Sequence, residues 1–357
     1  MQILHYLPLF VLTLCDVGHG WHIMSSNNTR LEDLANLAGV SISTVSRALN
    51  DHPLISLKTK KKVWALAREH NYPFRSYMPA APVGSEGSIV VVTPHMHGRP
   101  LPLSHPFFLE LLASIGEAAR ARDCDFTVSH TAPRDFDDLT AVMTTSRANG
   151  VIFLGQSMLH DGFNQLAEAN SNFVVWGAHL AGQKYRSVGS DNVLGGRRAT
   201  LHLARLGRKA IAFVGSSDPE AMQRRQGYLE ALEANGLEAD PSLDIRVDFG
   251  FESAERALSQ SLARGRKLDG IIASSDLIAL GAIRALRKAN LSVPKDVSVV
   301  GYDDMLLARL STPALTTIQQ DTLEAGRRLV SQVMDAHSEQ FLDYLPTHLI
   351  VRESCGA

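Results

Sequence analysis

From Ser88 onward the chain alternates short, almost wholly apolar runs with stretches of helical periodicity, and this alternation limits the possible folds more than any other feature. A first series comprises Ile89-Val90-Val91-Val92, Phe126-Thr127-Val128, Val151-Ile152-Phe153-Leu154 and Phe173-Val174-Val175-Trp176. A second comprises Ile211-Ala212-Phe213-Val214, Ile245-Arg246-Val247, Gly270-Ile271-Ile272-Ala273 and Val297-Ser298-Val299-Val300. Strands covered by helices on both faces read as continuous apolar runs, whereas half-solvated strands alternate. Two parallel-sheet lobes are therefore expected within residues 88–357. A chain of 357 residues is long enough for them and for a further small domain. With 45% apolar and 20% charged residues, its composition is that of a soluble globular protein.

In open parallel sheets, ligands bind beyond the carboxyl ends of the strands. The residues following the runs are Asp191 after Ser187-Val188-Gly189, Ser275-Asp276, and Asp303-Asp304, with Arg224 early in the helical stretch after Val214. Carboxylates and a guanidinium can bond vicinal hydroxyls, and Phe108, Trp176 and Phe249 can cover an apolar ring face. That combination suits a sugar or sugar-like metabolite.

The formal charge of −2 hides an asymmetry. Residues 29–76 carry eight Lys or Arg against four Asp or Glu, leaving −6 for the rest, so one end suits a polyanion. Thr29-Arg30-Leu31-Glu32 has the form of a capping box. Leu31, Leu34, Ala35 and Ala38 then repeat at helical spacing, and Gly39 suits the position just past the helix end. Ser41 can cap a second helix, Ile42 to Asn50. On a helical wheel Ile42, Ser46, Asn50, Ser43 and Arg47 share one side, while Thr44, Val45, Ala48 and Leu49 share the other. Hydroxyls, an amide and a guanidinium are groups that suit base edges: Arg47 for guanine, Ser43 as donor or acceptor, Ile42 against a thymine methyl. Ser56 can cap a third helix whose first turns hold Lys58, Lys60, Lys61 and Lys62, with Val63, Leu66 and Ala67 facing inward. Cations at a helix start oppose its macrodipole, an arrangement easier to understand beside phosphates.

Leu34-Ala35, Ala38-Gly39-Val40-Ser41, Thr44-Val45-Ser46-Arg47, Asn50, Ser56, Thr59, Val63 and Asn71-Tyr72 together resemble the headpiece of the lactose/galactose repressor (LacI/GalR) family. The resemblance implies that Ile42, Ser43 and Arg47 read the major groove and that Ser41, Asn50, Ser56 and Thr59 hold phosphates. Thr44, Ser46 and Tyr72, within the same matched stretch, complete the candidate DNA-binding set. Leu54 stands where some relatives place a polar phosphate contact and is not included.

The linker, residues 77–87, departs from that pattern. The family inserts a leucine of a short hinge helix into the minor groove, but here no leucine occurs, Ala81 falls near the wedge position, and Pro79 and Pro82 disfavour a helix. An extended tether is expected; the alternative is a shorter turn using Tyr77 or Met78. The body carries the resemblance too, through His105-Pro106-Phe107-Phe108, Asp191-Asn192, Ser274-Ser275-Asp276, Val300-Gly301-Tyr302-Asp303-Asp304 and Leu315-Thr316-Thr317-Ile318. It implies a two-lobe, periplasmic-binding-protein-like effector domain of type I with Phe108, Asp191, Arg224, Phe249, Ser275 and Asp303 in its cleft. Ser275 stands where some relatives have asparagine, so their sugar preference is not carried over.

Other signals point away from competing classes. Residues 1–24 are apolar but lack a cationic start and are interrupted by Pro8 and Asp16, so they are read as an extension before a start at Met24 rather than a signal or anchor. Cys15, Cys124 and Cys355 are scattered, which implies neither a disulfide framework nor a zinc site and fits a reducing cytoplasm. His95, His97 and His105 lack acidic or thiol partners nearby and sit among prolines, so no metal is expected. No nucleotide-binding glycine motif, nucleophile elbow or P-loop is present in the body, so neither cofactor nor enzyme activity is expected.

The resulting expectation is a helix-turn-helix head at 29–76 joined to an α/β two-lobe body at 88–357, acting in the cytoplasm as a homodimeric repressor. Its partners are operator DNA and a small sugar-like effector, with no membrane. The rival is an exported sugar-binding protein of the same core fold.

Overall fold

The computed structural model describes residues 30–49, 52, 54–70, 87–93, 95–96, 99–100, 104–129, 131–146, 148–156, 158–169, 172–335 and 342–357. The chain divides into two compact units, residues 1–80 and 81–357.

The first unit shows α1 (Leu31–Ala38), α2 (Ile42–Leu49) and α3 (Leu57–Glu69). Each contributes an apolar stripe to one small core of Leu34, Ala35, Ala38, Val45, Ala48, Val63 and Ala67, all buried. The α1–α2 turn closes on Gly39, whose φ of 67° is a left-handed conformation that glycine adopts without cost. Ser41 Oγ accepts from the Thr44 amide at 3.1 Å and Ser56 Oγ from the Thr59 amide at 3.2 Å, so both expected caps form. The start of α1 differs from expectation. Arg30 is its capping position, and Asp33 rather than Glu32 takes a backbone amide, that of Arg30 at 2.7 Å. Thr29, Asn50, Tyr72 and residues 77–86 of the linker lie outside the described residues, and Gly87 already belongs to the first strand of the second unit.

The second unit opens with β1 (Gly87–Val92), the ribbon β2 (His95–Met96) and β3 (Arg99–Pro100), α4 (Pro106–Arg120), β4 (Cys124–Ser129), α5 (Phe136–Thr145) and β5 (Gly150–Leu154). It continues through α6 (His160–Ala169), β6 (Phe173–Trp176), β7 (Ser187–Ser190), α7 (Asn192–Arg205), β8 (Ile211–Gly215), α8 (Pro219–Ala234) and β9 (Asp244–Arg246). Then follow α9 (Phe251–Ala263), β10 (Gly270–Ala273), α10 (Asp276–Lys288), β11 (Ser298–Asp303), α11 (Leu306–Leu310), β12 (Thr316–Gln319), α12 (Thr322–Met334), β13 (Leu342–Leu345) and β14 (His348–Ile350).

Two six-stranded sheets result, in orders β13-β7-β6-β5-β1-β4 and β14-β12-β11-β10-β8-β9. All neighbours are parallel except the β12–β14 pair. Central strands such as β5, β6, β8 and β10 are buried at every residue, as their unbroken apolar sequences require. All eight apolar runs form strands. The chain passes from one lobe to the other three times, after β7, β12 and β13. Because the return strands β13 and β14 lie far along the chain from the sheets they complete, no local pattern announced them.

Candidate functional site

On α2, the side facing away from the head core carries Ile42, Ser43 and Arg47, all exposed, with Ser46 and Thr44 half-buried beside them. Ile42 keeps 46% of its surface open. Ser41 Oγ bonds both Ser43 Oγ at 2.9 Å and Thr44 Oγ1 at 2.8 Å, which orders the hydroxyls at the start of α2. Ser56 Oγ and Thr59 Oγ1 pair at 2.8 Å at the start of α3. Lys62 has a task within the head. Its Nζ donates to the Ala38 carbonyl at 2.9 Å, satisfying the end of α1, so its first task is to hold two helices together.

Within the second unit, the strand ends of both lobes converge on a cleft with an envelope of about 620 Å³, its mouth included. From the first lobe come Phe107, Phe108, Gln156 and Trp176; from the second, Asp218, Glu220, Arg224, Phe249 and Asp303; from the crossovers, Ser190, Asn192 and Gln320. Five of the expected cleft residues, Phe108, Trp176, Arg224, Phe249 and Asp303, thus meet on one surface. Asp191 and Ser275 are not in the lining. Asp191 caps α7 by accepting from the Leu194 amide at 2.9 Å, and Ser275, itself buried, caps α10 by accepting from Ile278 at 3.2 Å. The neighbours of Asp191, Ser190 and Asn192, line the cleft in its place.

Arg224 is 7% exposed and fixed from several sides. Its Nε donates to Asn192 Oδ1 at 2.8 Å, Nη1 donates to the Ser274 carbonyl, and Nη1 lies 3.8 Å from Asp303 Oδ1. The guanidinium also sits over the Tyr302 ring, 3.7 Å from its centroid. Paired glycines allow this arrangement. A Cβ on Gly227 would lie 1.9 Å from the Val193 carbonyl oxygen and one on Gly196 2.0 Å from that of Arg224, so α7 and α8 can touch at the backbone and bring Asn192 to Arg224.

Asp303 has φ of 119°, a region that L-residues rarely adopt, and this costs on the order of 1–3 kcal/mol. The side chain is held in place by Gln320, whose Nε2 donates to Asp303 Oδ1 at 2.7 Å, and Ser190 Oγ donates to Gln320 Oε1 at 2.7 Å. Two crossover segments are thereby tied to the charged centre of the cleft. Burial lifts the Asp303 carboxyl to about 7 although Arg224 and Gln320 oppose it. Asp276 is also pushed well above the usual carboxylate range, first by burial and then by Asp303. Thr317 and the Met305 amide both donate to Asp276, which makes it a structural brace for the strand ends.

The aromatic wall is shared between the lobes. Phe107 packs on Trp176 with centroids 5.9 Å apart, and His105 stacks on Phe249 at 4.6 Å. His105 is buried with neither ring nitrogen hydrogen-bonded, and burial lowers its pKa to about 4, so it behaves as a neutral stacking ring. Met305, from the second lobe, is buried in the core of the first. Gln156, Asp218, Glu220 and Gln320 were not among the sequence candidates. Only their positions just past strand ends could have marked them.

Among the described residues, no group of three or more His, Cys, Asp or Glu side chains could hold a metal ion, and no helix is long and apolar enough to cross a membrane.

A helix-turn-helix unit and a two-lobe α/β receptor with a cleft at its strand ends, present in one chain, define a ligand-responsive DNA-binding regulator. The family description "Bacterial regulatory proteins, lacI family" matches residues 30–73, and "Periplasmic binding protein-like domain" matches residues 200–355. The HTH-type transcriptional regulator CelR of Thermobifida fusca is 32% identical over 334 residues, covering 91% of this chain and 97% of that protein. The HTH-type transcriptional repressor CytR of Escherichia coli K12 is 28% identical over 335 residues, covering 92% and 96%. Among solved structures, a CelR–cellobiose complex is 30% identical with a TM-score of 0.66, covering 91% of this chain and 99% of that one. The lac repressor dimer bound to operator and the anti-inducer ONPF is 27% identical with a TM-score of 0.67, covering 93% and 100%. The chain belongs to the LacI family of helix-turn-helix transcriptional regulators.

Proposed function

We propose that this regulator binds its operator as a homodimer, with α2 in the major groove, and that a small sugar held in the cleft sets its affinity for DNA. The carrying observation is the cleft itself, in which an aromatic wall faces a buried Arg224–Asp303 centre tied through Gln320 and Ser190 to two interlobe crossovers. A guest bonded to that centre bears on the segments about which the lobes move relative to each other. A coupling of about 1–3 kcal/mol changes operator affinity roughly 5- to 150-fold. Cellobiose in the CelR complex supports a sugar as the guest, and the operator-bound lac repressor dimer supports two-fold binding.

In this reading Ile42, Ser43 and Arg47 touch base edges, and Ser41, Thr44, Ser46, Asn50, Ser56, Thr59 and Tyr72 complete the DNA surface. Phe108, Trp176, Arg224, Phe249 and Asp303 hold the effector, with Asp191 and Ser275 acting behind them through their helix starts. The protein works in the cytoplasm and turns over no substrate.

The test is a duplex selected from a random pool and titrated by fluorescence anisotropy, with and without a panel of mono- and disaccharides that is also scored by thermal shift. Selective, salt-dependent binding altered by one sugar is expected. A purified, folded protein that prefers no duplex overturns the proposal.

A further inference from the structure

The charges in the cleft are unequal. Asp218, Glu220 and Asp303 line it against a single cation, Arg224, which is already engaged with Asp303, Asn192 and the Ser274 carbonyl. Asp218 caps α8 by accepting from the Ala221 amide at 2.9 Å and accepts a second bond from Ser216 Oγ. Glu220 follows Pro219 in the first turn of α8, half-buried in the cleft wall. No Lys, His or second Arg stands in the described lining to balance it.

A second observation points the same way. Gln156 is 0% exposed and lines the cleft from the first lobe. The Ala178 carbonyl, which can only accept, fixes the orientation of its amide; Nε2 also reaches Tyr185 Oη at 3.0 Å, and Oε1 is left without a partner. Gln156 Oε1 is thus an acceptor without a donor on the first-lobe side, while on the other side the carboxyl nearest Glu220 is that of Asp218, another acid, with Arg224 acting on Glu220 from its post beside Asp303. A buried acceptor lacking a donor, or a carboxylate lacking a cation, is costly until one arrives.

We propose that Glu220 is a specificity-determining residue of the cleft, selecting a sugar-like effector that presents an amino group to it and rejecting one that carries a carboxylate or phosphate there. This rests on the sugar-effector reading above and narrows its chemical class. Burial, and then Asp218 beside it, hold the Glu220 carboxyl up at about 7. An ammonium group brought next to Glu220 takes over the charge-neutralising role of that proton, whereas an anion adds to the repulsion.

The experiment is isothermal titration of the full-length protein and of Glu220→Gln with matched sugar sets: glucose, glucosamine and glucuronate; galactose, galactosamine and galacturonate; cellobiose, its diamino counterpart and its aldonate. In one set the amino member is expected to bind at least about tenfold more tightly than the neutral member, with the carboxylate member weakest. Glu220→Gln, close in shape and checked for cooperative unfolding, is expected to remove the amino preference and improve relative binding of the carboxylate. A ranking led by the neutral or carboxylate member, or one that Glu220→Gln leaves unchanged, overturns the inference. Absence of binding by every sugar in both proteins overturns the sugar-effector reading itself, and this inference with it.

Discussion

Arg47 and Arg224 are the same residue type put to opposite uses. Arg47 stands exposed on α2, one helical turn from Ser43, and its surroundings come from the helix that carries it. Arg224 is buried, and its partners Asn192, Ser274, Tyr302 and Asp303 come from different strand ends and helix starts. The head presents groups to a partner that supplies its own complementary surface, so one amphipathic helix suffices. The cleft must surround its guest, so it is assembled from distant segments and held by a polar network in which each member positions the next.

The comparison is tested most severely at Arg224. Arg224→Ala leaves Asp303 buried beside a lost cation and should lower unfolding stability by about 3 kcal/mol in denaturant titrations. It should also abolish the response to effector while operator binding persists in the folded fraction. Equal loss of operator binding in that fraction would break the separation of roles.

Arg47→Ala should show the converse. A bidentate contact to guanine accounts for about 1–3 kcal/mol of discrimination, so competition between selected and scrambled duplexes should show that loss for each half-site. The melting temperature should stay within the small range expected of an exposed substitution. A large melting change would mean that Arg47 supports the head instead.

A smaller effect is expected from pH. The Glu220 carboxyl is raised to about 7 in the folded protein, from its ordinary value of 4.5, so the native state holds its proton over a window in which the unfolded chain has released it. Its contribution is fully present below the unfolded value and is lost as pH rises through 7. Relative to wild type, Glu220→Gln should therefore gain stability between pH 4 and pH 8, by about 1–2 kcal/mol after allowance for solvent screening. Melting curves across that interval measure it, and parallel pH profiles would contradict the assignment.

The smallest expected differences separate two lysines of α3. Lys62→Met removes the bond to the Ala38 carbonyl and should cost the head about 1 kcal/mol. Lys58→Met should leave the head as stable but reduce the slope of log affinity against log salt by about 1, if Lys58 neutralises a phosphate. Reversed results would exchange their roles.

The head was legible because its determinants are local. Ser41, Ser56 and Gly39 each mark a helix boundary within a few residues of the groups they satisfy, and the 3.6-residue period separates Val45 and Ala48 from Ser43 and Arg47. The cleft was only partly legible. Trp176, Arg224 and Asp303 could be placed near strand ends, but Asp191 and Ser275 satisfy helix starts while Ser190, Asn192 and Gln320 face the cleft. Successive residues at a strand end point in opposite directions, so a shift of one position exchanges a cap for a lining group. Sequence pattern locates such an end to within a few residues, which is too coarse to tell them apart.

The sequence by itself determined the two lobes, the three-helix head and the polar side of α2. Apolar periodicity and capping residues act over one or two turns or one strand, and that is the distance over which local interactions choose a conformation. Tertiary structure alone decided that Gln156, Glu220, Arg224, Asp303 and Gln320, drawn from both lobes and a crossover, would share one cavity. It also decided that Glu220 would sit beside Asp218 there. Those facts depend on strand order, helix contact through Gly196 and Gly227, and the three passages between lobes. Long-range packing fixes all of these together, and no single segment encodes them.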